Sequence, residues 1–509
     1  MSSTRSCVGA AIIVFIGGMA LFSEHRSFPV YYHTDEPGKV LQVIHRGKNF
    51  HHPTLMLTTV NLVRSTFLHG GAEDDPQRVV ELARLVVAAF AAASAALLAL
   101  LAARLHGIWA GLSAGLLVVT NPLLYELAHY FKEDPTLLFG IVACAWAAHH
   151  LATRRDARSL VLLGVAAGVA AAAKYVGTAL VPVAALIGAS MGGGIARERW
   201  KRAGRVVGSA LLTWLVLNYR IFRSPALIVP QSLGEEISKA FVSKHGLLRG
   251  IPHTYYFAVQ GTYGGPWIPA LAALWLALAI CRPRKVSIAE WLLAGVSLVF
   301  LVVFSFTPKT SPRYYLPIAV TLCYLAAAGV FGWVALASAR SERARIGATV
   351  FAVLLCLGAA WQQWRDTQEV RLAFQQDDRA ALVEAVEALP PSAIIVQDEE
   401  AGLPEPDRRW QHKGRKALKQ QVIGAKQAPD LGSLAELRAR GVTHLALCGK
   451  TYGPYFATDR IIKDQDSVLA RRAFYQTALE RGRVLREWKP GRVSYLQPGL
   501  VLVDISGLE

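Results

Sequence analysis

The sequence VGAAIIVFIGGMALF at residues 8–22 is an apolar run, and the segment HTDE follows it at residues 33–36. A run of this kind approaches the length of a transmembrane helix, so the acidic pair Asp35-Glu36 is expected beside a bilayer. Carboxylates at a membrane are costly to bury and commonly mark a functional site. Asp35-Glu36 is therefore the first candidate site.

The composition indicates a membrane protein. Of its 509 residues, 53% are hydrophobic and only 18% are charged, and the mean hydropathy is +0.33. A soluble domain of this length is more polar. Apolar runs near the length that crosses about 30 Å of hydrocarbon recur along the chain. They predict eleven transmembrane helices, at 8–23, 79–103, 107–125, 135–152, 159–173, 176–194, 206–222, 267–281, 287–306, 313–337 and 346–363.

The charges of the connecting loops predict the orientation. Alternate loops hold fifteen Lys and Arg residues, and the short loops of the other set hold four. Cytoplasmic loops attract Lys and Arg, so the N-terminus is predicted to be cytoplasmic and Asp35-Glu36 to face the exterior. The same asymmetry accounts for the formal net charge of +18 without nucleic acid. A cleaved signal peptide ending near Gly18-Met19-Ala20 is an alternative for the first run.

Two domains are predicted. Residues 1–364 form the membrane domain, with a first outer loop at 24–78 that carries interfacial helices and a large outer loop at 223–266. Residues 365–509 alternate helical segments with strand-like ones at 393–396, 442–447, 493–496 and 500–505, which predicts a small extracytoplasmic α/β domain. It has no Gly-rich nucleotide loop. The six cysteines lack paired spacing, so neither a disulfide framework nor a zinc site is predicted.

The candidate chemistry lies at the outer ends of the predicted helices. Acidic groups there can take a proton from a hydroxyl, and clustered cations with Tyr can hold a phosphate. Solvated loop charge, a helix cap and snorkelling anchors are the structural alternatives for these groups. Aromatic side chains of the large loop fit either an interfacial belt or a sugar and prenyl contact. The candidates are His33, Asp35, Glu36, His51, His52, Lys132, Glu133, Asp134, Lys174, His253, Tyr255, Lys309, Arg313 and Tyr314.

The order of these motifs resembles a known superfamily. Asp-Glu after the first predicted helix, His51-His52-Pro53 before the second, and the pair Glu133-Asp134 are similar to the protein O-mannosyltransferase and aminoarabinose-transferase superfamily. Lys174-Tyr175-Val176-Gly177 and Arg313-Tyr314-Tyr315-Leu316-Pro317 resemble further segments of it. The resemblance covers roughly residues 1–365, and the tail resembles the outer domain of many bacterial members. It implies the GT-C fold.

The resemblance also implies roles. Asp35 would be the catalytic base, supported by Glu36, and Glu133 or Asp134 would orient the acceptor or assist. The donor would be a sugar on polyprenyl phosphate. Attack opposite the phosphate would invert the anomeric centre. The donor phosphate would contact Arg313, Tyr314, Lys174, Lys309 and Lys132, and the substrate would contact His51, His52, His253 and Tyr255.

The resulting prediction is an inverting glycosyltransferase of the bacterial inner membrane, with its active site and C-terminal domain outside. Its acceptor is a hydroxyl of a lipid, glycan or protein, and its surroundings are the lipid bilayer. No cofactor is required; a divalent ion, Mg²⁺ or Mn²⁺, bridging Asp35 and Asp134 is a less favoured alternative. A transporter or flippase of a lipid-linked or anionic solute is the main rival function, and a non-catalytic subunit is the second.

Overall fold

The structure, a computed structural model, describes residues 3–26, 33, 35–45, 52–71, 75–191, 195–219, 222, 247–249, 264–306, 311–337, 341–405, 418–457, 460–462 and 465–508. Two compact units divide the chain. The first comprises Met1–Arg26, Gly38–Ala240 and His253–Thr367. The second comprises Ser27–Pro37, Phe241–Pro252 and Gln368–Glu509, so it includes the segment with Asp35-Glu36.

All the secondary-structure elements of the first unit's described residues are helices. Short 3₁₀ turns at Tyr175–Ala179 and Pro312–Tyr315 precede two of its helices. Two helices cross the unit boundary: α2, whose first two residues belong to the second unit, and α14, which continues into that unit. The helices are α1 (Thr4–Phe22), α2 (Glu36–Ile44), α3 (Leu55–Phe67), α4 (Pro76–His106), α5 (Ile108–Val119), α6 (Pro122–Ala128), α7 (Asp134–Arg154), α8 (Ala157–Ala173), α9 (Leu180–Ser190), α10 (Ala196–Leu217), α11 (Trp267–Cys281), α12 (Ile288–Phe306), α13 (Leu316–Ala337) and α14 (Glu342–Gln375).

These helices make the protein a multi-pass membrane protein, but they do not establish eleven spans. Within the described residues, six helices are long and apolar enough to cross a membrane, or seven if the bent pair α5 and α6 is one span. Each predicted segment does coincide with a helix or helix pair. The difference arises because α8, α9 and α11 are apolar but short, and the first half of α10 is strongly basic.

The bend between α5 and α6 measures 62°. Pro122 begins α6 and has no N–H to continue the helical ladder, so the chain breaks at Thr120 and Asn121. Polar side chains of α14 satisfy the freed groups: Thr367 Oγ1 donates to the Thr120 carbonyl at 2.8 Å, and Thr120 Oγ1 donates to Gln363 Oε1 at 3.2 Å. Broken helices persist at membrane depth only where such partners exist.

Helices α7 and α8 pack closely as an antiparallel pair joined by a short connection. Gly140 of α7 makes the approach feasible, because a Cβ added there would lie 2.5 Å from the Cα of Ala170 in α8. The close packing brings the first residue of α7, Asp134, to the same end of the pair as Lys174, which directly follows α8. The site described below depends on this geometry.

The second unit contains a five-stranded mixed sheet with the strand order β3-β2-β4-β7-β6. The strands β3, β2 and β4 are parallel, and β7 is antiparallel to β4 and β6. A separate antiparallel pair joins β1 to β5. The elements are β1 (Leu247–Arg249), α15 (Asp378–Glu387), β2 (Ile394–Asp398), β3 (Gln421–Ala425), α16 (Leu434–Ala439), β4 (His444–Cys448), α17 (Gly449–Tyr452), β5 (Arg460–Ile462), α18 (Gln465–Arg481), β6 (Arg483–Trp488) and β7 (Leu500–Asp504).

The sheet buries both of its faces. Val396 and Leu445 pack on the side of α18, and Ile395 and Ala446 pack on the side of α15. The predicted strands at 393–396, 442–447 and 500–505 are confirmed in outline. The predicted strand at 493–496 is wrong, because these residues form a turn between β6 and β7.

Candidate active site

A cluster of buried charges lies where α7 begins. The Lys39 Nζ atom is 2.5 Å from Glu133 Oε1 and donates to the carbonyl oxygen of Phe131 at 3.2 Å. Both charged side chains are at least nine-tenths buried. Lys132, the residue before Glu133, is also buried. Lys39 reaches the cluster from α2, whose Val40 is fully buried and anchors that helix.

A second buried ion pair joins the next residue to the end of α8. Lys174 Nζ donates to Asp134 Oδ1 at 2.8 Å, and the side chains are 15% and 5% exposed. Lys174 has an extended backbone at the C-terminus of α8, and the 3₁₀ turn follows it. Two adjacent carboxylates, Glu133 and Asp134, thus hold two different lysines.

Tyr314 connects Lys174 to Arg313. The Lys174 Nζ atom lies 5.2 Å from the centroid of the Tyr314 ring, and the Arg313 guanidinium carbon lies 5.3 Å from it. Phe304 of α12 stacks on this ring at 4.9 Å with an interplanar angle of 3°. Cations at such distances from an aromatic face are attracted by its quadrupole. The ring therefore organises two cations around one phenol.

The electrostatics of the cluster favour a charged Glu133, a charged Lys174 and a neutral His52. Burial alone would raise the pKa of Glu133, but the nearby Lys39 and Lys132 hold that pKa well below its ordinary value. Burial likewise opposes the charge of Lys174, yet Asp134 beside it raises the pKa of that lysine. Burial lowers the pKa of His52 to about 4, partly offset by Glu133. At neutral pH His52 is therefore uncharged.

The segment with Asp35 forms a tight turn at the start of α2. The backbone N–H of Asp35 donates to His33 Nδ1 at 3.0 Å, and the N–H of Glu36 donates to the His33 carbonyl oxygen at 3.0 Å. Glu36 is fully buried, and its carboxylate accepts the His33 N–H at 3.4 Å. The Asp35 side chain is 45% exposed. Of the two acids, Asp35 is the one whose carboxylate solvent can reach.

The structure brings together Lys132, Glu133, Asp134, Lys174, Arg313 and Tyr314 with His52, as the electrostatic and ring contacts above establish. Asp35 and Glu36 occupy the turn in the second unit. The predicted residues His51, His253, Tyr255 and Lys309 lie outside the described residues.

Sequence reasoning missed Lys39 and Phe304. Lys39 belongs to the first outer loop, for which only interfacial helices were predicted, and it is buried against Glu133. Lys39 stands four residues before the buried Val43, so both lie on the same face of α2, and this spacing is the signal that could have indicated burial.

Within the described part of the chain, no group of three His, Cys, Asp or Glu side chains is placed to hold a metal ion. Each member of the Glu133-Asp134 pair faces a lysine instead. Whether the protein uses a divalent ion stays a prediction.

Known proteins share this architecture. Residues 61–222 match the family model described as dolichyl-phosphate-mannose-protein mannosyltransferase. The crystal structure of ArnT from Cupriavidus metallidurans in the apo state is similar with a TM-score of 0.50 and 14% identity over 97% of both chains. The crystal structure of the same protein bound to undecaprenyl phosphate is similar with a TM-score of 0.50 and 15% identity, over 99% of this chain and 98% of that one. The protein has a GT-C fold.

The oligosaccharyltransferase of Archaeoglobus fulgidus, tethered with an acceptor peptide, is similar at a TM-score of 0.50 and 12% identity, over 91% of this chain and 71% of that one. No curated protein sequence matches this chain significantly. The family match confirms the resemblance to the protein O-mannosyltransferases over residues 61–222, and the likeness to ArnT confirms the predicted fold. Likeness at such identities defines a fold, and the substrate must be argued from the site.

Proposed function

We propose that this protein is an inverting glycosyltransferase, which moves a sugar from a polyprenyl-phosphate donor to a hydroxyl acceptor on the outer face of a bacterial inner membrane. The observation that carries the proposal is the cluster in which the buried Lys39 and Lys132 and the partly buried Lys174 and Arg313 lie around two buried carboxylates and Tyr314. Cations and a phenol of this kind suit a phosphate, since hydrogen bonds between charged partners are the strong ones.

The two ion pairs give the lysines fixed positions. Glu133 holds Lys39 at 2.5 Å and Asp134 holds Lys174 at 2.8 Å, and Asp134 raises the pKa of Lys174 against the effect of burial. Because Glu133 and Asp134 are buried and paired with lysines, these two carboxylates suit an assisting role better than direct contact with the acceptor. Arg313 supplies the planar fork that matches phosphate oxygens. The family match to lipid-phosphate-dependent mannosyltransferases and the ArnT structure with undecaprenyl phosphate support the same donor class.

In the proposed reaction, an acceptor hydroxyl oxygen attacks the anomeric carbon of the donor. Asp35 takes the hydroxyl proton, for which its exposed carboxylate is available. The bond between the anomeric carbon and the phosphate oxygen breaks, and the electron pair leaves with the polyprenyl phosphate. The basic cluster stabilises the charge that develops on that phosphate. Attack from the side opposite to the leaving group inverts the anomeric centre.

The test uses proteoliposomes of the full-length protein and lipid-linked sugars extracted from radiolabelled membranes. The wild type is expected to move label from the lipid fraction into a product, and Asp35→Asn to do so about 10²–10⁴-fold more slowly, because a carboxamide cannot take the proton. Glu384→Gln, at an exposed position of α15, is the control with the same charge change.

Binding of undecaprenyl phosphate should be equal in the wild type and both variants. Near-normal turnover of Asp35→Asn would reject Asp35 as the base. Failure of the wild type to consume any labelled lipid would reject the transferase itself.

A further inference from the structure

The loop between β6 and β7 contacts the turn that carries Asp35. The centroid of the Tyr495 ring lies 4.0 Å from that of the His33 imidazole, with the planes tilted by 45°. His33 is only 3% exposed, so the tyrosine forms part of its packing. Both residues belong to the second unit. Tyr495, which lies 462 positions after His33 in the sequence, thus borders the proposed catalytic segment.

Tyr495 is carried by a firmly held turn. Val493 and Leu496 on either side of it are fully buried, and the Leu496 N–H donates to the Val493 carbonyl at 3.0 Å. Arg492 pairs with Glu369 at 3.0 Å and fastens the loop to the last turns of α14. The buried side chains on both sides, with the ion pair of Arg492 before them, restrict where the Tyr495 ring can lie.

A lysine fixes the ring further. The Lys450 Nζ atom lies 3.4 Å from the centroid of Tyr495, a close cation–π contact, and 3.1 Å from Glu400 Oε2. The backbone N–H of Lys450 also donates to the carbonyl oxygen of Pro498 at 3.0 Å, within the same loop. The lysine is therefore held by Glu400 and by the loop backbone, and Tyr495 packs against a defined partner.

The His33 imidazole connects the Tyr495 ring to the backbone of Asp35. His33 Nδ1 accepts the backbone N–H of Asp35, so the orientation of the ring sets the backbone from which the carboxylate projects. The His33 backbone, in turn, is tied to Glu36 through two hydrogen bonds. A ring that rotates away from Tyr495 would release the Asp35 N–H. The same His33 nitrogen lies 3.8 Å from Asp35 Oδ2, so the imidazole borders the carboxylate as well as its backbone.

We propose that Tyr495 is a positioning residue, which holds His33 so that Asp35 points productively at the acceptor hydroxyl. The inference rests on the proposed function, because it gives Asp35 the role of base. It assigns a part in the reaction to the C-terminal α/β unit, namely the alignment of the catalytic turn. A small misplacement of a catalytic group lowers turnover strongly, on the order of 10²-fold for about 1 Å.

The test compares Tyr495→Leu with Tyr495→Phe in the proteoliposome assay. Removal of the ring should lower kcat by at least about tenfold while the KM for the lipid-linked sugar stays unchanged. Phenylalanine keeps the ring and should restore kcat. Phe456→Leu is the matched control, since Phe456 is another half-buried aromatic of this unit with an arginine over its ring, at 5.6 Å.

A second measurement separates positioning from general damage. In an Asp35→Asn background, Tyr495→Leu should cause no further loss, because it acts through the carboxylate that is already gone. Equal kcat values for Tyr495→Leu and Phe456→Leu, or a further loss in the Asp35→Asn background, would overturn the inference while the transferase stands. A wild type that transfers no sugar would instead overturn the proposed function.

Discussion

The buried pair between Asp134 and Lys174 allows a quantitative test of the proposed phosphate site. The two charges are 2.8 Å apart and at least 85% buried, so solvent screens them little. At an effective dielectric constant of about 20, their direct attraction is roughly 6 kcal/mol. Removal of one partner from a buried pair typically destabilises a protein by about 3–5 kcal/mol, because the other charge stays unpaired.

Asp134→Asn and Lys174→Met should therefore each lower the free energy of unfolding by about 3–5 kcal/mol. The double variant should lose clearly less than the sum of the two, because neither charge is then left alone. Unfolding in mixed micelles, followed by the fluorescence of the twelve tryptophans, measures these values. Additive losses in the double variant would refute a coupled buried pair.

Binding of undecaprenyl phosphate to the same variants tests the function of the pair. Asp134→Asn keeps the ammonium group and should retain binding, whereas Lys174→Met and the double variant should lose it. The double variant is the decisive one, because it is expected to be more stable than Lys174→Met alone. Wild-type binding by the double variant would show that Lys174 does not contact the donor phosphate.

Three further outcomes are expected. Arg313→Lys should raise the KM for the lipid-linked donor much more than the control Arg282→Lys, which changes an exposed arginine on the predicted cytoplasmic side. Equal KM values for the two variants would make Arg313 a membrane anchor. Because the pKa of His52 is about 4 in the folded protein and 6.5 ordinarily, the free energy of unfolding should fall as the pH drops from about 6.5 to 4. His52→Gln should flatten this pH dependence, and an unchanged slope would contradict a neutral, buried His52. In a variant that lacks the exposed Cys281, a cysteine at exposed Ser494 should react with an impermeant reagent from outside intact cells, and one at exposed Arg158 should not. Labelling of both would contradict the predicted orientation.

The helical elements were predictable because single segments determine them. The apolar runs place a helix or helix pair at every predicted segment, since length and hydropathy act locally. The strand β6, with the sequence RVLREW at 483–488, was missed because it is a largely exposed edge strand without an apolar alternation. Val493 and Leu496 were misassigned to a strand because both are buried, and apolar residues occupy buried positions in turns as well as in strands.

The site was predictable in its residue types but not in its pairs. The sequence indicates that Lys132 to Asp134, Lys174 and Arg313 lie at outer helix ends, because charges are excluded from the spans. It does not indicate that Lys39 pairs with Glu133, because the two are joined by packing between distant helices. The residue types alone do not separate Asp35 from Glu36; only the family resemblance assigned the base to Asp35. The turn separates them, as it buries Glu36 and leaves Asp35 exposed.

The bend between α5 and α6 has a consequence for the order in which the helices fold. The Thr120 carbonyl receives its hydrogen bond from Thr367, which the ribosome adds 247 residues later. At synthesis rates of about 5–20 residues per second, the delay is roughly 12–50 s. During this interval water or the insertion machinery must hold the carbonyl, because an unsatisfied backbone group in hydrocarbon costs several kcal/mol. The bent helix pair therefore reaches its final shape only after α14 has entered the membrane.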